Sequence, residues 1–220
     1  MHKGNFGTTM RAHETMTICW VVVFYAVGIA GMSFSFSSPL FLKLIPLALL
    51  LSISILAIYH KGRYDFKTIS VFVSIFLLGL IVEMAGVNTG EIFGAYRYGN
   101  SLGLKILNTP IMIGVNWLLL IYTTSSLFDK FSLHPLLKVL FASGVMLLYD
   151  LVLEHAAPKM DMWFWQNNTV PLQNYLAWFL VAVGFHLLLK LFKVKTANPM
   201  SYVILICQFL FFVILSITLK

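Results

Sequence analysis

The sequence predicts an all-α integral membrane protein, a bundle of about seven transmembrane helices in a single domain over residues 1–220. Hydrophobic residues make up 60% of the chain and charged residues only 10%, whereas an average soluble domain is about 25% charged. The mean hydropathy is +0.89. The net charge of +7 does not indicate nucleic-acid binding, because the basic residues lie in short loops between apolar runs, where they orient membrane proteins.

Seven apolar runs divide the chain, and each approaches the ~20 residues that a helix needs to cross a bilayer. They cover about residues 17–36, 39–59, 68–85, 108–128, 135–154, 171–189 and 200–219. Pro46, inside the second run, predicts a kink in that helix. Pro110, Pro135 and Pro171 lie where the fourth, fifth and sixth helices are expected to begin, a position that proline favours.

The longest loop covers about residues 86–107, and in it Gly86, Gly90 and Gly94 recur every four residues. This spacing fits a ridge of small residues on a helix that extends from the third run. It fits equally well a loop with several backbone bends. The sequence leaves both alternatives open.

The distribution of basic residues predicts the orientation in the membrane. Ten lysines and arginines, Lys3 among them, fall on the side of the N-terminus, and five, Lys220 among them, fall on the other side. Because cytoplasmic loops carry an excess of basic residues, we expect a cytoplasmic N-terminus. The loops 86–107 and 155–170 then face outward. The expected location is a bacterial inner membrane.

Polar side chains from four runs fall at a similar depth near the outer face. Glu83 ends the third run, Asn116 lies about two turns into the fourth, Asp150 and Glu154 end the fifth, and Asn174 begins the sixth. Ionisable groups at membrane depth are costly and usually mark a site. The structural alternatives are interfacial contact with water for Glu154, a hydrogen-bonded pair for Glu83 and Asp150, and interhelical contacts for the amides.

Asp150 and Glu154 are four residues apart and therefore share a helix face. Two close carboxyls in apolar surroundings cannot both ionise cheaply, so one keeps its proton and can act as an acid while the other stays a base. No zinc motif, Walker loop, dinucleotide fingerprint or nucleophile elbow is present, and no metal is expected. The last run has no lysine within it to bind retinal, which excludes a rhodopsin.

Two blocks of residues resemble the membrane carotenoid hydratase family, which includes gamma-carotene 1',2'-hydratases and archaeal bisanhydrobacterioruberin hydratases. The resemblance covers about residues 80–180. The first block runs from Glu83 through Gly90, Gly94, Tyr96 and Tyr98 to Pro110, Asn116 and Trp117; the second runs from Asp150 through Pro158, Trp163, Trp165, Pro171 and Asn174 to Trp178. The resemblance implies that the protein adds water to a terminal double bond of an acyclic carotenoid or other polyisoprenoid. The substrate would come from the membrane lipids, and no cofactor is expected.

The residues fit that chemistry. Protonation of an alkene needs a neutral carboxylic acid, and aromatic faces stabilise the resulting cation by about 0.5–2 kcal/mol each. We expect Asp150 to be the general acid and Glu83 or Glu154 to hold the water. The expected substrate-binding residues are Asn116, Trp117, Tyr96, Tyr98, Trp163, Trp165, Asn174 and Trp178.

Two other functions remain open from the sequence. A cyclase or isomerase of carotenoid end groups would share the cation intermediate but exclude water. A carotenoid-binding or transport protein would use the buried carboxyls to carry protons or to pair structurally. The aromatic residues at the outer face could then be ordinary interfacial belt residues.

Overall fold

A computed structural model describes residues 4–219, with side chains from residue 12 onward; Lys3 and Lys220 lie outside this range. Seven helices of 14 or more residues, one six-residue helix, one short 3-10 helix and four short strands make up the described part. The helices are α1 (Gly4–Ser33), α2 (Ser38–Lys43), α3 (Ile45–Ile58), α4 (Phe66–Thr89), α5 (Met112–Asp129), α6 (Pro135–Ala156), α7 (Leu172–Leu191) and α8 (Ser201–Thr218). The 3-10 helix is Pro158–Met160, and the strands are β1 (Tyr96–Tyr98), β2 (Lys105–Ile106), β3 (Thr109–Pro110) and β4 (Trp163–Trp165).

The helical membrane fold is confirmed. Five helices of the described part (α1, α4, α6, α7 and α8) are long and apolar enough to cross a membrane. The predicted number of about seven is reached when the shorter α3 and the more polar α5 are counted with them.

Helix α5 is the central helix of the bundle. It packs against α3, α4, α6, α7 and α8, and almost every residue from Ile113 to Ser125 is buried. Because its neighbours shield it from lipid, α5 can carry Asn116, Thr123 and Thr124 in its interior. The hydroxyls of Thr123 and Thr124 donate hydrogen bonds to backbone carbonyl oxygens of the preceding turn, so both hydroxyls are satisfied without water.

The prolines act largely as predicted. The second run is broken rather than bent: α2 ends at Lys43, α3 begins at Ile45, and Pro46 lies in its first turn. Pro135 is the first residue of α6, and Pro171 immediately precedes α7.

The prediction that Pro110 opens the fourth helix is wrong. Thr109–Pro110 forms β3, which pairs with Lys105–Ile106, and α5 begins only at Met112. Leu107 and Asn108, at φ 47° and 65°, make the two-residue turn, because a tight hairpin of this kind needs positive φ at both positions.

Both interpretations of the glycine series hold in part. Helix α4 continues to Thr89, so Gly86 is helical, and a Cβ atom there would lie 2.4 Å from the Phe93 ring. Gly90, at φ 72°, caps the helix, and Gly94, at φ 103°, lies in the following loop. Glycine adopts this left-handed backbone without a steric penalty.

The two outer loops are joined by a two-stranded antiparallel sheet that the sequence analysis did not predict. Strand β1 pairs with β4 in the register Tyr96 to Trp165, Arg97 to Phe164 and Tyr98 to Trp163. Successive side chains of a strand point to opposite faces. The two tyrosines and two tryptophans therefore share the face toward the helices, while the Arg97 guanidinium lies 4.6 Å from the Phe164 ring centroid.

Candidate functional site

Three carboxyl groups meet beneath the β1–β4 sheet. Glu83, Asp150 and Glu154 are only 2%, 0% and 5% exposed. Glu83 lies on the buried face of α4, with Gly79 one turn before it and Gly86 nearly one turn after it. Asp150 and Glu154 lie one turn apart on the buried face of α6. The predicted convergence of acidic groups from separate helices is therefore present in the structure.

Glu83 accepts three hydrogen bonds. The hydroxyls of Tyr96 and Tyr98 each donate to its Oε2 over 2.7 Å, and Trp117 Nε1 donates to its Oε1 over 3.0 Å. Burial, together with the neighbouring Glu83 carboxyl, raises the pKa of both tyrosine hydroxyls well above the usual value. Both tyrosines therefore keep their protons and act as donors.

Glu154 also accepts three hydrogen bonds. Trp165 Nε1 and Trp163 Nε1 donate to its Oε2 over 2.7 Å and 3.0 Å, and Asn174 Nδ2 donates to its Oε1 over 3.2 Å. The β1–β4 sheet thus supplies two donors to each glutamate, from the tyrosines of one strand and the tryptophans of the other.

Asp150 has a different environment. Its Oδ2 accepts a hydrogen bond of 3.2 Å from the same Asn174 amide that binds Glu154. Its Oδ1 is buried and has no hydrogen-bond partner among the described residues. Each of the other five oxygens of the three carboxyls accepts at least one hydrogen bond. No ion pair in the part of the chain that the structure describes involves any of the three groups.

A small cavity lies between Glu83 and Glu154. The volume of this cavity is about 10 Å³, which is roughly the space that one water molecule needs. Its lining consists of Glu83, Phe93, Tyr96, Tyr98, Ile113, Glu154, Trp163, Trp165, Asn174 and Trp178. The polar groups on this wall provide the two to four partners that a buried water requires.

Three predicted site residues do not line this cavity. Asp150 lies one turn along α6 from Glu154, linked to it through Asn174. Trp117 lies behind Glu83 and stacks on Trp178, with ring centroids 4.3 Å apart. Asn116 is buried in α5 immediately before Trp117. The other predicted residues surround the cavity.

Phe93 and Ile113 line the cavity but were not identified from the sequence. They are apolar residues in an apolar chain, and nothing in their spacing separates them from ordinary core. The sequence does contain a signal for the pairing of the two loops. Tyr96-Arg97-Tyr98 and Trp163-Phe164-Trp165 each place aromatic residues at alternate positions, the period of a half-buried strand.

A family model described as a carotenoid biosynthesis protein matches residues 44–220. The match contains all three carboxyls, the β1–β4 sheet and the helices from α3 to α8, and it extends beyond the 80–180 range of the resemblance on both sides. No curated protein and no solved structure matches the chain. Because the match covers most of the sequence, the chain belongs to the carotenoid biosynthesis protein family.

Proposed function

We propose that the chain is a hydratase that adds water to the terminal 1,2 double bond of an acyclic carotenoid end group. One observation carries the proposal: Asp150 Oδ1 has no partner, while Glu83 and Glu154 accept three hydrogen bonds each around a cavity with room for one water. Hydration of an alkene needs both elements, a proton donor and a held water. Membership of the carotenoid biosynthesis family supports an isoprenoid substrate.

Asp150 is the proton donor in this proposal. Hydrogen bonds to the charged form favour ionisation, and only one donor reaches Asp150. A nearby carboxylate disfavours a second negative charge, and Glu154 lies one turn away on the same helix. Asp150 therefore holds a proton, and on the unpaired Oδ1 that proton has no competing acceptor. It can move to C2 of the alkene, which leaves a tertiary cation at C1.

Glu83 and Glu154 hold the water in its place. Three N–H or O–H donors on each group match the acceptor capacity of an ionised carboxylate. As the cavity water attacks C1, it loses a proton to Glu154, and this proton restores the acid form of Asp150 before the next turnover. The overall reaction converts an alkene and one water molecule into a tertiary alcohol. The rings of Trp163, Trp165 and Trp178 flank the site and stabilise the cation by about 0.5–2 kcal/mol each.

The size of the cavity favours hydration over cyclisation. A cyclase must exclude water from its cation, whereas this cavity fits one water and has carboxyl and amide groups in its wall. A carotenoid end group does not fit into about 10 Å³, so substrate binding requires side chains of the lining to move. The β1–β4 sheet, which contributes four of the lining residues, is the element whose displacement would open the site.

The decisive experiment is expression in a bacterium that accumulates a carotenoid with acyclic ends. We expect a more polar pigment, heavier by one water, to appear on chromatography with mass detection. Asp150→Asn and Glu154→Gln should lower its formation by about 10²–10⁴-fold, the usual contribution of a general acid or base. Glu91→Gln is the matched control, because Glu91 is an exposed carboxyl in the neighbouring loop, and it should leave the yield unchanged.

Membrane-extracted wild type and variants should elute as single species on size-exclusion chromatography, which separates loss of activity from loss of folding. Unchanged pigments from folded wild-type protein on several acyclic-ended carotenoids would overturn the proposal. A product of unchanged mass would identify a cyclase or isomerase instead, and full activity of Asp150→Asn would remove Asp150 as the acid.

A further inference from the structure

Asn174 contacts both carboxyls of helix α6. It lies in the first turn of α7, where its backbone N–H donates to the Pro171 carbonyl oxygen over 3.0 Å, and it is 1% exposed. Its side-chain nitrogen, Nδ2, lies 3.2 Å from Asp150 Oδ2 and 3.2 Å from Glu154 Oε1. A side-chain amide carries two hydrogens on this nitrogen, so Asn174 can donate one hydrogen to each carboxyl at the same time.

The four oxygens of Asp150 and Glu154 differ in whether a donor already faces them. The Asn174 amide faces Asp150 Oδ2 and Glu154 Oε1. The indole N–H groups of Trp163 and Trp165 face Glu154 Oε2. Because these groups only donate, a proton on any of the three oxygens would compete with a hydrogen that is already donated there. Asp150 Oδ1 is the one oxygen of the pair without a donor among the described residues.

We propose that Asn174 is a positioning residue that confines the proton of the Asp150–Glu154 pair to Asp150 Oδ1. Two neighbouring carboxyls in apolar surroundings tend to share one proton, and a proton held equally by both leaves neither as a distinct acid or base. The Asn174 amide occupies one oxygen of each carboxyl and so takes the place of that shared proton. This role rests on the proposed hydration, which needs Asp150 as the acid and Glu154 as the base.

The orientation of the amide is what this role requires. If the amide were turned around, Oδ1 would face both carboxyls, and each carboxyl would need a proton to avoid placing acceptor against acceptor. The two indole N–H donors on Glu154 Oε2 favour the ionised form of Glu154, which supports the orientation with Nδ2 toward the carboxyls. The two orientations therefore differ in an observable quantity, one protonated carboxyl or two.

The backbone around the start of α7 holds Asn174 in place. Pro171, which precedes the helix, has its φ fixed by its ring, and the loop after α4 packs against it, since a Cβ atom at Gly94 would lie 2.6 Å from Pro171 Cγ. Asn174 was predicted from the sequence to bind substrate. Both of its amide hydrogens face carboxyl oxygens instead, so its main effect on the reaction is exerted through Asp150 and Glu154.

Infrared spectroscopy of the purified full-length protein without substrate, together with the product assay for hydration, tests the proposal. Wild type should show the band of one protonated carboxyl. Asn174→Leu keeps the branched shape of the side chain but has no donor, so the proton should become shared, and the band should broaden and move to lower wavenumber. The yield of hydrated product should fall about 10- to 150-fold, which corresponds to the loss of one hydrogen bond to a charged group.

Asn174→Ser is the second variant, which also serves if Asn174→Leu does not fold. A hydroxyl has one hydrogen, so at least one of the two oxygens loses its donor. The band should then differ from that of wild type, and the yield should lie between those of wild type and Asn174→Leu. Asn167→Leu is the matched control, because Asn167 is exposed in the outer loop, and it should leave both the band and the yield unchanged.

A wild-type band in folded Asn174→Leu or Asn174→Ser would overturn the proposal, as would the bands of two protonated carboxyls in wild type. An undiminished yield from either variant would remove the positioning role in hydration. The mass of the product tests the proposed function separately. If wild type forms no hydrated product, the hydratase proposal fails, while the infrared spectra of the variants still decide whether Asn174 confines the proton.

Discussion

At the scale of single residues, the unequal hydrogen bonding of three carboxyls is the feature with the largest chemical consequence. A hydrogen bond to a charged group contributes about 1.5–3 kcal/mol, and Glu83 and Glu154 each accept three. Asp150 accepts one. This difference favours the ionised form of the two glutamates over that of the aspartate and supports the proposed role of Asp150 as the acid.

Infrared spectroscopy of the purified protein tests that assignment without substrate. We expect a carbonyl stretch of a protonated carboxylic acid in wild type at neutral pH, because in the proposed mechanism Asp150 keeps its proton. Asp150→Asn should remove this band. Glu83→Gln and Glu154→Gln should leave it in place and reduce the carboxylate absorption instead.

The Glu91→Gln control should change only the carboxylate region, because Glu91 is exposed to solvent. A carboxylic-acid band that persists in Asp150→Asn and vanishes in Glu154→Gln would transfer the acid role to Glu154. Absence of the band from wild type would contradict the assignment altogether.

The sequence identified the chemical groups of the site better than their connections. Glu83, Asp150 and Glu154 stand out because charge is costly within apolar runs, and the four-residue spacing of the last two predicted their shared face. Tyr96, Tyr98, Trp163 and Trp165 were predicted as aromatic walls, but in the structure they are also hydrogen-bond donors to the glutamates. Which hydroxyl or indole N–H group donates to which glutamate oxygen depends on the tertiary structure.

At the scale of elements, the β1–β4 sheet is what the sequence analysis missed and what completes the site. Each strand has three residues, so the alternate aromatic positions are a signal too short to predict a strand by themselves. Helix α5 was predicted, but its central position was not. That position follows from packing against five other helices and explains how Asn116 and Thr123 are accommodated at membrane depth.

Packing of α4 on α5 depends on a glycine opposite Trp117. A Cβ atom at Gly79 would lie 2.8 Å from Trp117 Cβ and Cγ, and Trp117 cannot easily move because it is fully buried and donates to Glu83. We expect Gly79→Ala to destabilise the protein by about 1–3 kcal/mol, the usual cost of overpacking a core. A denaturant titration in mixed micelles measures the change.

Gly144→Ala is the matched control for this prediction. Gly144 also lies inside a helix, α6, but no heavy atom comes within 4 Å of a Cβ atom placed there. Alanine is favoured over glycine in a helix interior by up to about 1 kcal/mol, so this variant should be as stable as wild type or more stable. Equal stability of the two variants would mean that the α4–α5 contact tolerates a methyl group.

At the scale of the whole molecule, contacts between chain ends and loops sort the structure into two faces. On one face, Lys61 Nζ lies 3.8 Å from Glu14 Oε1 near the N-terminus, and Lys61 N donates to the Ala197 carbonyl oxygen over 3.0 Å. On the other, Lys159 Nζ donates to the carbonyl oxygens of Ser216 and Leu219 beside the C-terminus. This sorting agrees with the predicted grouping of the loops.

The charge excess predicts which of these faces is cytoplasmic. Among residues whose side chains the structure describes, the N-terminal group contains Lys61, Arg63, Lys67, Lys130, Lys138, Lys190, Lys193 and Lys195, and the other group contains Lys43, Arg97, Lys105 and Lys159. A bias of this size predicts that the N-terminal face is cytoplasmic. With that orientation, the proposed hydration would draw water from outside the cell and its apolar substrate from the bilayer, because the carboxyl cluster lies at the outer ends of α4 and α6.

Reporter fusions test this orientation on the full chain. Green fluorescent protein should fluoresce when fused to the N-terminus and stay dark at the C-terminus, because it does not mature after export, whereas alkaline phosphatase should be active only at the C-terminus. A bright C-terminal fusion would show that the orientation is the reverse of the predicted one and that the β1–β4 sheet lies in the cytoplasm. The contacts within the bundle would be unchanged by that result, since nothing in the hydrogen bonding of Glu83, Asp150 and Glu154 depends on which compartment supplies the water.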